Sequence, residues 1–531
     1  MVPPRVLIVE DRQEWQETLS KHLHEEGFSV EIATSLAEAV DLLNKQLYHV
    51  AVIDVRLKDW DKTNFDGMTV LDELSNRAIE ASTLAKIMIS AFGTPDQLRQ
   101  AFRGHHVFDF IMKDKFNASE FRSTVRDAFV KEVRMNPELS IDFDDGLSFD
   151  NMIAGVTRGN ERLKRDDTDF ARYVIEVEDL FRRLFHNKTR IVIGRVSSGH
   201  GKTGVVKVYP YSDDSHDEQV IVKFGDFREV DREFANYEQY VKGKIGARTT
   251  HVLELRRTPL LGGVVYALIG TPVERVVDFA NYYSQSPIPA IAPVLDDLFK
   301  VTCANWYFDR GVVQHLRLDT QYADGLGLTH DKMLEALRAK FRSFMNQKIL
   351  TFPELPGVHV ANPVFAIKDR SLARPTFLCT THGDLNANNI LVDPEGHTWL
   401  IDYYHTGRGH ILRDCVMLES VVKFVLLADG DLASRYALER ALIEMRRFRD
   451  VDGLTLNVPG DAYQKAFEAC RKLRQIARDL VQPSDDLSEY EIGLLYTTLN
   501  TQRFYSLPRT NRLHSLLAAG MLAEKLGLAA T

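Results

Sequence analysis

Five polar residues in the first part of the chain lie at the end of, or directly after, short apolar runs. They are Glu10, Asp11, Asp54, Ser90 and Lys113. Runs of this kind are typical of buried parallel strands, whose carboxyl ends meet at one edge of a sheet. The spacing therefore predicts three carboxylates, one hydroxyl and one ammonium group around a single pocket.

Phosphoryl transfer is the chemistry that these residues would support. Three carboxylates repel one another unless a cation neutralises them, and Mg²⁺ prefers such oxygen ligands. Asp54 would act as the nucleophile, Mg²⁺ and Lys113 would stabilise charge on the phosphoryl oxygens, and Ser90 would hydrogen-bond the phosphoryl group. The plainer alternative is that the acids are solvated loop residues. It explains one acid well, but not five residues that each lie at the right strand end.

With these residues, residues 1–130 resemble a response-regulator receiver domain. The resemblance implies that Asp54 is the phosphoacceptor and that the metal is held by Glu10, Asp11, Asp54 and the backbone carbonyl of Arg56. It also implies roles for Ser90 as the switch hydroxyl, Lys113 as the phosphate partner and Phe110 as the aromatic switch residue. Phe110 is alternatively a core residue of the fifth strand.

The sequence departs from the receiver family in two loops. The loop after Asp54, at residues 58–67, is longer than usual and lacks the usual proline. Asp114 stands where a proline usually follows the lysine. These departures concern loop geometry and partner specificity, not the acceptor chemistry.

The strongest local motif is His382–Asn389, with the sequence HGDLNANN. Phosphoryl transfer from ATP needs a group that orients the attacking hydroxyl, and ligands for the Mg²⁺ of the nucleotide. Asp384 fits the first task, while Asn389 and Asp402 fit the second, because a short hairpin would bring them together. The plainer alternative is an Asn- and Asp-rich turn capped by Asp384, and it leaves Asp402 at the end of an apolar strand unexplained.

The residues that bind the nucleotide are expected upstream of this motif. A glycine-rich turn at residues 194–204 lies between two predicted strands, and Gly199 and Gly201 would let the backbone approach phosphates. Lys223, in an apolar strand, would bind a phosphate and pair with Glu233 on the predicted helix 229–243. Glu238 is the rival partner, and either acid could be a solvated helix residue.

The sequence Gly201-Lys202-Thr203 also permits a P-loop. That motif needs a glycine where the chain has Val196, and it opens a helix, whereas residues 205–208 predict a strand. The P-loop is therefore the weaker interpretation.

Residues 185–425 resemble the aminoglycoside phosphotransferase and choline-kinase-like branch of the kinase fold. The form HGDLxxxN points to that branch rather than to eukaryotic protein kinases, as does the short span from Asp402 to Asp414. Tyr403 and Tyr404 replace the Phe-Gly of those kinases, and the helices after residue 414 match only weakly. The pairing with a receiver also resembles the ternary-complex-associated kinase-like domains of bacterial conflict systems. These resemblances imply ATP and Mg²⁺ as cofactors.

The hydrophobic pattern predicts the scaffolds that position both sites. Apolar runs that alternate with helical patterns predict an α/β receiver with a doubly wound, flavodoxin-like, five-stranded parallel sheet. A strand-rich part and then a mainly helical part predict an α+β bilobal kinase-like fold with a helical C-terminal region. The expected boundaries are a receiver at 1–130, a linker with a connector helix (169–185) at 131–185, a nucleotide-binding N-lobe at 186–275 and a C-lobe at 276–531.

Composition excludes some classes of function. The 531 residues have a formal net charge of −9, which argues against a dominant nucleic-acid-binding surface. The chain begins without a basic and apolar leader, and its apolar stretches are shorter than the roughly 20 residues of a spanning helix. Cys303, Cys379, Cys415 and Cys470 form no CxxC pair, so neither a zinc site nor a disulfide framework is expected. We expect a reduced, cytoplasmic compartment.

The leading hypothesis is a two-component signalling protein in which receiver phosphorylation at Asp54 regulates an ATP- and Mg²⁺-dependent phosphotransferase. A cognate histidine kinase would be the phosphodonor, and the acceptor would be a small molecule or a protein. The last strand and helices of the receiver would mediate docking or a homodimer. The second hypothesis is a catalytically silent kinase fold that acts as a nucleotide-binding scaffold or adaptor. A nucleic-acid output is the third, and the sequence has no helix-turn-helix signature that favours it.

Overall fold

The computed structural model describes residues 3–57, 66–76, 83–91, 102–144, 146–154, 156–158, 161–195, 204–213, 215–246, 248–268, 270–427, 430–481, 485–504 and 507–528. The chain forms two compact units. The first comprises Met1–Arg232 and Val252–Ala267, and the second comprises Glu233–His251 and Leu268–Thr531.

The first unit begins with a parallel sheet. Its strands are β1 (Arg5–Val9), β2 (Ser29–Ala33), β3 (Val50–Asp54), β4 (Ala85–Ser90) and β5 (Asp109–Met112), in the order β2-β1-β3-β4-β5. The helices are α1 (Gln13–Glu25), α2 (Leu36–Lys45), α3 (Asp66–Asn76) and α4 (Ala118–Ala128). Alternate residues of β1 and β3 enter two separate hydrophobic cores, which is why these strands are apolar on both faces. The predicted doubly wound sheet is confirmed.

The same unit holds the body of a second, seven-stranded sheet. The strands that follow in the chain are β6 (Ser140–Phe143), β7 (Thr157–Arg158), β8 (Glu161–Arg162), β9 (Arg190–Arg195), β10 (Gly204–Ser212), β11 (Ser215–His216), β12 (Val220–Asp226), β13 (Thr250–Arg257) and β14 (Leu261–Leu268). The sheet has the order β13-β14-β12-β10-β9-β6, and β11 pairs with β10. β7 and β8 form a separate hairpin.

Residues 131–185 are more structured than the linker that the sequence predicts. β6 joins the second sheet parallel to β9, because Ile141 and Phe143 pack against its apolar core. Two alternating apolar residues are too short a signal to identify a strand in the sequence. The segment also contains α5 (Phe149–Ile153) and the connector helix α6 (Phe170–Leu184).

Helix α6 packs closely on the second sheet beside Gly263 of β14. Leu180 and Leu184 are buried in the same core as residues of β9, β10 and β12. A Cβ atom at Gly263 would lie 2.9 Å from Leu184 Cδ1. The absence of a side chain at this position of β14 therefore lets the helix approach the sheet closely.

The second unit combines small sheets with many helices. Its strands are β15 (Val277–Asp278), β16 (Gln314–Arg317), β17 (Ile349–Thr351), β18 (His359–Ala361), β19 (Ala373–Thr376), β20 (Leu378–Thr381), β21 (Ile390–Val392), β22 (Thr398–Leu400) and β23 (Gly407–His410). They form the sheets β15-β21-β22, β16-β19, β17-β18 and β20-β23.

The remaining helices follow in chain order. They are α7 (Phe227–Asn236), α8 (Phe279–Gln285), α9 (Ile288–Asp297), α10 (Ala304–Phe308), α11 (Leu318–Leu326), α12 (His330–Lys340), α13 (Pro363–Ala366), α14 (Arg413–Val421), α15 (Leu432–Ile443), α16 (Asp461–Leu480), α17 (Ser488–Asn500) and α18 (Arg509–Lys525). Wider helical turns extend some of these at Tyr237–Val241, Leu298–Thr302 and Val422–Leu426, and α4 at Phe129–Val133. Within the described ranges, no helix is both long enough and apolar enough to span a lipid bilayer.

A buried charge network ties the C-terminal helices together. The Glu419 carboxylate of α14 accepts hydrogen bonds from Arg474 of α16, at 3.0 Å from Nε and 2.8 Å from Nη2, and from Tyr490 OH of α17 at 2.6 Å. Lys423 Nζ lies 3.0 Å from Glu439 Oε2 of α15. All these side chains are buried, so the pairs are screened little by solvent.

We expect Glu419→Gln to lower the free energy of unfolding by about 3–5 kcal/mol, because it leaves the buried Arg474 and Lys423 with one carboxylate fewer. Glu468→Gln is the matched control, since Glu468 pairs with Arg471 on α16 at 2.6 Å but at the surface. Loss of a surface pair of this kind costs about 0–1 kcal/mol. Urea unfolding of both variants measures the difference, and equal small losses would contradict the expectation.

Acid should weaken this network through Glu439. Burial alone would raise the pKa of Glu439, but Lys423 and His514 outweigh it and lower this pKa to about 2 from 4.5. A lowered carboxyl pKa stabilises the fold fully above pH 4.5, and the contribution is lost as the pH falls towards 2. Unfolding followed from pH 6 to about pH 2 should show a shallower acid dependence for Glu439→Gln than for the wild type. Identical slopes would refute this assignment.

Candidate functional site

The carboxyl ends of the parallel strands bring the predicted residues of the first domain to one edge of the sheet. Lys113 Nζ donates hydrogen bonds to Glu10 Oε2 at 2.6 Å and to Asp54 Oδ2 at 2.7 Å. Glu10 is 0%, Asp54 1% and Lys113 7% exposed. An ammonium group between two buried carboxylates compensates much of their desolvation.

The pocket retains more negative charge than Lys113 can neutralise. Burial, and then the charge of Asp54, raise the pKa of Glu10 to about 7. Among the described residues, Asp11 Oδ1 is buried without a hydrogen-bond partner. Oxygens of Glu10, Asp11 and Asp54 all lie within 4.8 Å of one another. An orphaned oxygen in a group of three carboxylates fits a hard divalent cation, so these residues would hold Mg²⁺.

The backbone after β3 is packed tightly against Asp54. Arg56 N donates to Asp54 Oδ1 at 3.3 Å, and a Cβ atom at Gly67 would lie 1.8 Å from Asp54 O. Gly67 is therefore required for α3 to begin this close to Asp54. The sequence analysis did not assign Gly67 to the site, although the Asp66-Gly67 dipeptide is a recognisable turn signal. Residues 58–65 of the long loop lie outside the described residues.

The two expected switch residues lie on neighbouring strands. Ser90 ends β4 and is 1% exposed, on the strand whose Ile89 pairs with Asp54 of β3. Phe110 of β5 is partly buried and packs against the core on one face of the sheet. This partial burial does not separate the two alternatives for Phe110, a core residue or an aromatic switch residue.

The motif at residues 382–389 is held in the second unit by a buried carboxylate that the sequence analysis did not assign. Asp414 of α14 accepts hydrogen bonds from the backbone N of His382 at 2.9 Å and of Gly383 at 3.0 Å. Tyr307 OH donates to the same carboxylate at 3.1 Å. Asp414 is 0% exposed, so these contacts fix the loop strongly. Its only sequence signal is an acid in the first turn of a helix after the hairpin.

Gly383 allows the sharp turn in this loop. It has a φ of +80°, and a Cβ atom there would lie 2.3 Å from His405 O. Arg413 Nη2 donates to Gly383 O at 2.8 Å. The His382 ring is buried and its Nε2 lies 3.0 Å from Ile401 O. These contacts fix the backbone of His382 and Gly383, the two residues directly before Asp384.

Asp384 and Asn389 are linked within the loop. Asn389 Nδ2 donates to Asp384 O at 2.9 Å, and Asn386 Nδ2 donates to Asp384 Oδ2 at 3.2 Å. Asp384 remains partly exposed whereas Asn389 is buried. The loop therefore presents one partly accessible carboxylate on a rigid backbone.

The hairpin β21–β22 brings Asn389 and Asp402 to the same end, as the sequence predicts. Ile401 N donates to Asn389 O at 3.1 Å, so Asp402 follows directly after the residue that pairs with Asn389. Asp402 has a φ of 71°, a left-handed conformation that is strained for a residue other than glycine. Asn236 Nδ2 holds the following backbone through Tyr403 O at 3.0 Å and Tyr404 O at 2.8 Å.

Three cysteines that lie far apart in the sequence are buried near Asp414. Burial, and then the charge of Asp414, raise the pKa of Cys303, Cys379 and Cys415. Such thiols stay protonated and unreactive. They are free and buried, and they act as small apolar residues.

The residues expected to bind the nucleotide fall partly outside the described structure. Gly199 and Gly201 lie in the undescribed segment 196–203. Lys223 is buried on β12 in the first unit, and Glu233 is buried in the second unit, where its Oε1 lies 3.4 Å from Tyr403 N. Glu238, the rival acid, is at the surface and pairs with Lys242 at 2.8 Å. Residues 204–212 form strand β10, not the helix that a P-loop opens.

Several solved structures of single receiver domains are similar to the first part of the chain. A receiver domain protein from Methanospirillum hungatei is 20% identical, covers 24% of this chain and 95% of its own, and has a TM-score of 0.21. A receiver domain from Vibrio parahaemolyticus is 20% identical over 24% of this chain and 92% of its own, with a TM-score of 0.22. A response regulator from Thermotoga maritima is 17% identical over 24% and 98%, with a TM-score of 0.21.

Comparison with protein families covers most of the chain. No curated protein matches it. The response regulator receiver domain matches residues 6–126, which confirms the expected receiver and its place in two-component signalling. The ternary complex associated domain 9 matches residues 188–343 and 329–501. The chain therefore belongs to the family of the ternary complex associated domain 9 and carries a response regulator receiver domain before it.

Proposed function

We propose that this protein receives a phosphoryl group at Asp54 and, in response, regulates an ATP-dependent phosphotransferase activity of its C-terminal region. The receiver implies a phosphodonor such as a histidine kinase. The observation that carries the proposal for the C-terminal region is the arrangement of Asp384, Asn389 and Asp402 around one rigid loop and hairpin. The acceptor would be a small molecule or a protein with a nucleophilic hydroxyl.

The geometry around Asp384 supports a role in orienting an acceptor hydroxyl. Asp384 is partly exposed on a backbone that Asp414 fixes through His382 and Gly383. A carboxylate held in this way can accept the proton of a hydroxyl without reorganising during the reaction. We also propose that the C-terminal region has a kinase-like fold.

Asn389 and Asp402 are the candidate ligands for the cation of the nucleotide. Their oxygens are the ligand type that Mg²⁺ prefers, and a cation bound there would neutralise charge on the transferring phosphoryl group. The strained φ of 71° at Asp402 supports a functional role, because such strain persists mainly where it is used. Lys223 and Glu233 are the candidates for binding and orienting the phosphates.

The second candidate function is a silent scaffold that binds nucleotide or a partner without transfer. One observation favours it: Asp384 Oδ2 already accepts a hydrogen bond from Asn386 Nδ2 at 3.2 Å. This contact gives the carboxylate a structural role that a scaffold would also need. ATP turnover separates the two functions.

The receiver is tested by Asp54→Ala. We expect the wild type to take up a labelled phosphoryl group from acetyl phosphate with Mg²⁺, and the variant to lose this uptake, because the acceptor carboxylate is gone. Asp114→Ala is the matched control, since Asp114 is exposed next to Lys113. Equal labelling of Asp54→Ala and the wild type would show that Asp54 is not the acceptor.

The phosphotransferase is tested by Asp384→Ala in the full chain. We expect Mg²⁺-dependent ATP consumption to fall by about 10²-fold or more, as is typical when a general base is removed. Asn388→Ala, an exposed neighbour in the same loop, should retain the wild-type rate. Consumption should also change when beryllofluoride occupies the receiver. If the wild type binds ATP but shows no more turnover than Asp384→Ala, the scaffold is the better description.

A further inference from the structure

The receiver sheet is bound to helix α6 at the edge opposite the phosphorylation pocket. His49, which directly precedes β3, lies with its Nε2 2.8 Å from Asp179 Oδ1 of α6. His49 Nδ1 accepts a hydrogen bond from Arg5 N at 2.9 Å, so Nε2 carries the proton and donates to Asp179. His49 and Asp179 are both 0% exposed.

A second contact on the same helix reaches β4. Arg183 Nε donates to Asp179 Oδ2 at 2.5 Å, and Arg183 Nη1 donates to the backbone O of Thr83 at 3.0 Å. Thr83 lies just before β4 in the chain. Helix α6 therefore contacts the beginnings of the two strands whose other ends hold Asp54 and Ser90.

Helix α6 is also bound to the seven-stranded sheet. Glu176, which is 0% exposed, accepts a hydrogen bond from Leu260 N at 2.7 Å, in the turn between β13 and β14. Arg182 Nη1 donates to Leu139 O at 2.9 Å, directly before β6. One helix thus joins the receiver to the second sheet through buried polar contacts with each.

On the receiver side of this junction, Asp179 is strongly paired, but one hydrogen-bond donor of Arg183 has no acceptor. Burial alone would raise the pKa of Asp179, but Arg183 and His49 outweigh it and lower this pKa to about 2. Among the described residues, Arg183 Nη2 is buried without a hydrogen-bond partner. A buried donor left unpaired is costly, so Arg183 would gain from an arrangement that gives Nη2 an acceptor.

We propose that helix α6 conveys the phosphorylation state of Asp54 to the seven-stranded sheet, through the starts of β3 and β4. β3 is a strand of five residues, so its two ends are only about 17 Å apart. Because β3 and β4 are buried and hydrogen-bonded on both sides, a change at their carboxyl ends shifts them as stiff units. Arg183, with its unsatisfied donor, is the group that can change partners. The inference rests on the proposed phosphoryl uptake at Asp54, not on ATP turnover.

Occupancy of the pocket can be measured separately from the response of α6. The Trp15 ring centroid lies 5.2 Å from Lys113 Nζ, so Trp15 fluorescence should change when beryllofluoride and Mg²⁺ bind. A Trp15→Phe variant gives the background from the other tryptophans. If beryllofluoride does not bind, the proposed function of the receiver fails, and this result is distinct from a failure of the junction.

The response of α6 is measured by hydrogen–deuterium exchange of the full chain with and without beryllofluoride. We expect exchange rates to change in residues 170–184 and in the β13–β14 turn. If the probe binds while these segments keep their rates, the inference is overturned. This comparison uses the wild type, so it remains decisive even if a junction variant fails to fold.

Asp179→Asn tests the coupling in the reverse direction. Coupling between two sites is reciprocal, so a broken junction should change the affinity of the receiver for beryllofluoride by about fivefold or more. Ala171→Ser is the matched control on the same helix, because Ala171 is exposed near its start. A folded Asp179→Asn variant with the wild-type affinity and an unchanged exchange response would refute the proposal.

Discussion

Placing a carboxylate away from water costs several kcal/mol unless cations or hydrogen-bond donors surround it. The phosphorylation pocket meets this requirement with Lys113, whose ammonium lies between Glu10 and Asp54. Remaining negative charge then makes the pocket a place for a divalent cation. The pairing of Asp54 with Lys113 and the fit of the pocket to a divalent cation therefore have one physical origin.

Within the described part of the chain, the carboxylate that holds the second loop meets the same requirement without a cation in direct contact. Asp414 is satisfied by two backbone N–H groups and by the hydroxyl of Tyr307. Neutral donors fix the backbone but leave the negative charge in place, and this charge adds to burial in raising the pKa of the nearby Cys303 and Cys415 thiols. A buried structural acid thus fixes the backbone that carries a partly exposed acid, Asp384.

The sequence predicted those parts of the molecule in which the spacing of apolar residues places the polar residues of a site. The strand ends that hold Asp54 and Lys113 follow from apolar runs, and the hairpin between Asn389 and Asp402 follows from two short apolar strands. Asp414 could not be found in this way, because its role depends on a tertiary contact with a loop 31 residues away. The turn-rich segment 131–165 allowed one short strand, but the sequence could not place β6, since its short apolar pattern gains meaning only beside β9.

The position of helix α6 could also not be read from its apolar spacing. That spacing predicted a helix and its buried face, but not which residues the helix contacts. Buried contacts of α6 with the receiver lie at the starts of β3 and β4, through His49 and Thr83, and Arg172 adds a contact at the surface with Asn44 O. A receiver must keep the edge that bears Asp54 accessible to its phosphodonor. An internal contact at the opposite edge satisfies that requirement, because β3 and β4 connect the two edges directly and the partner's approach is left free.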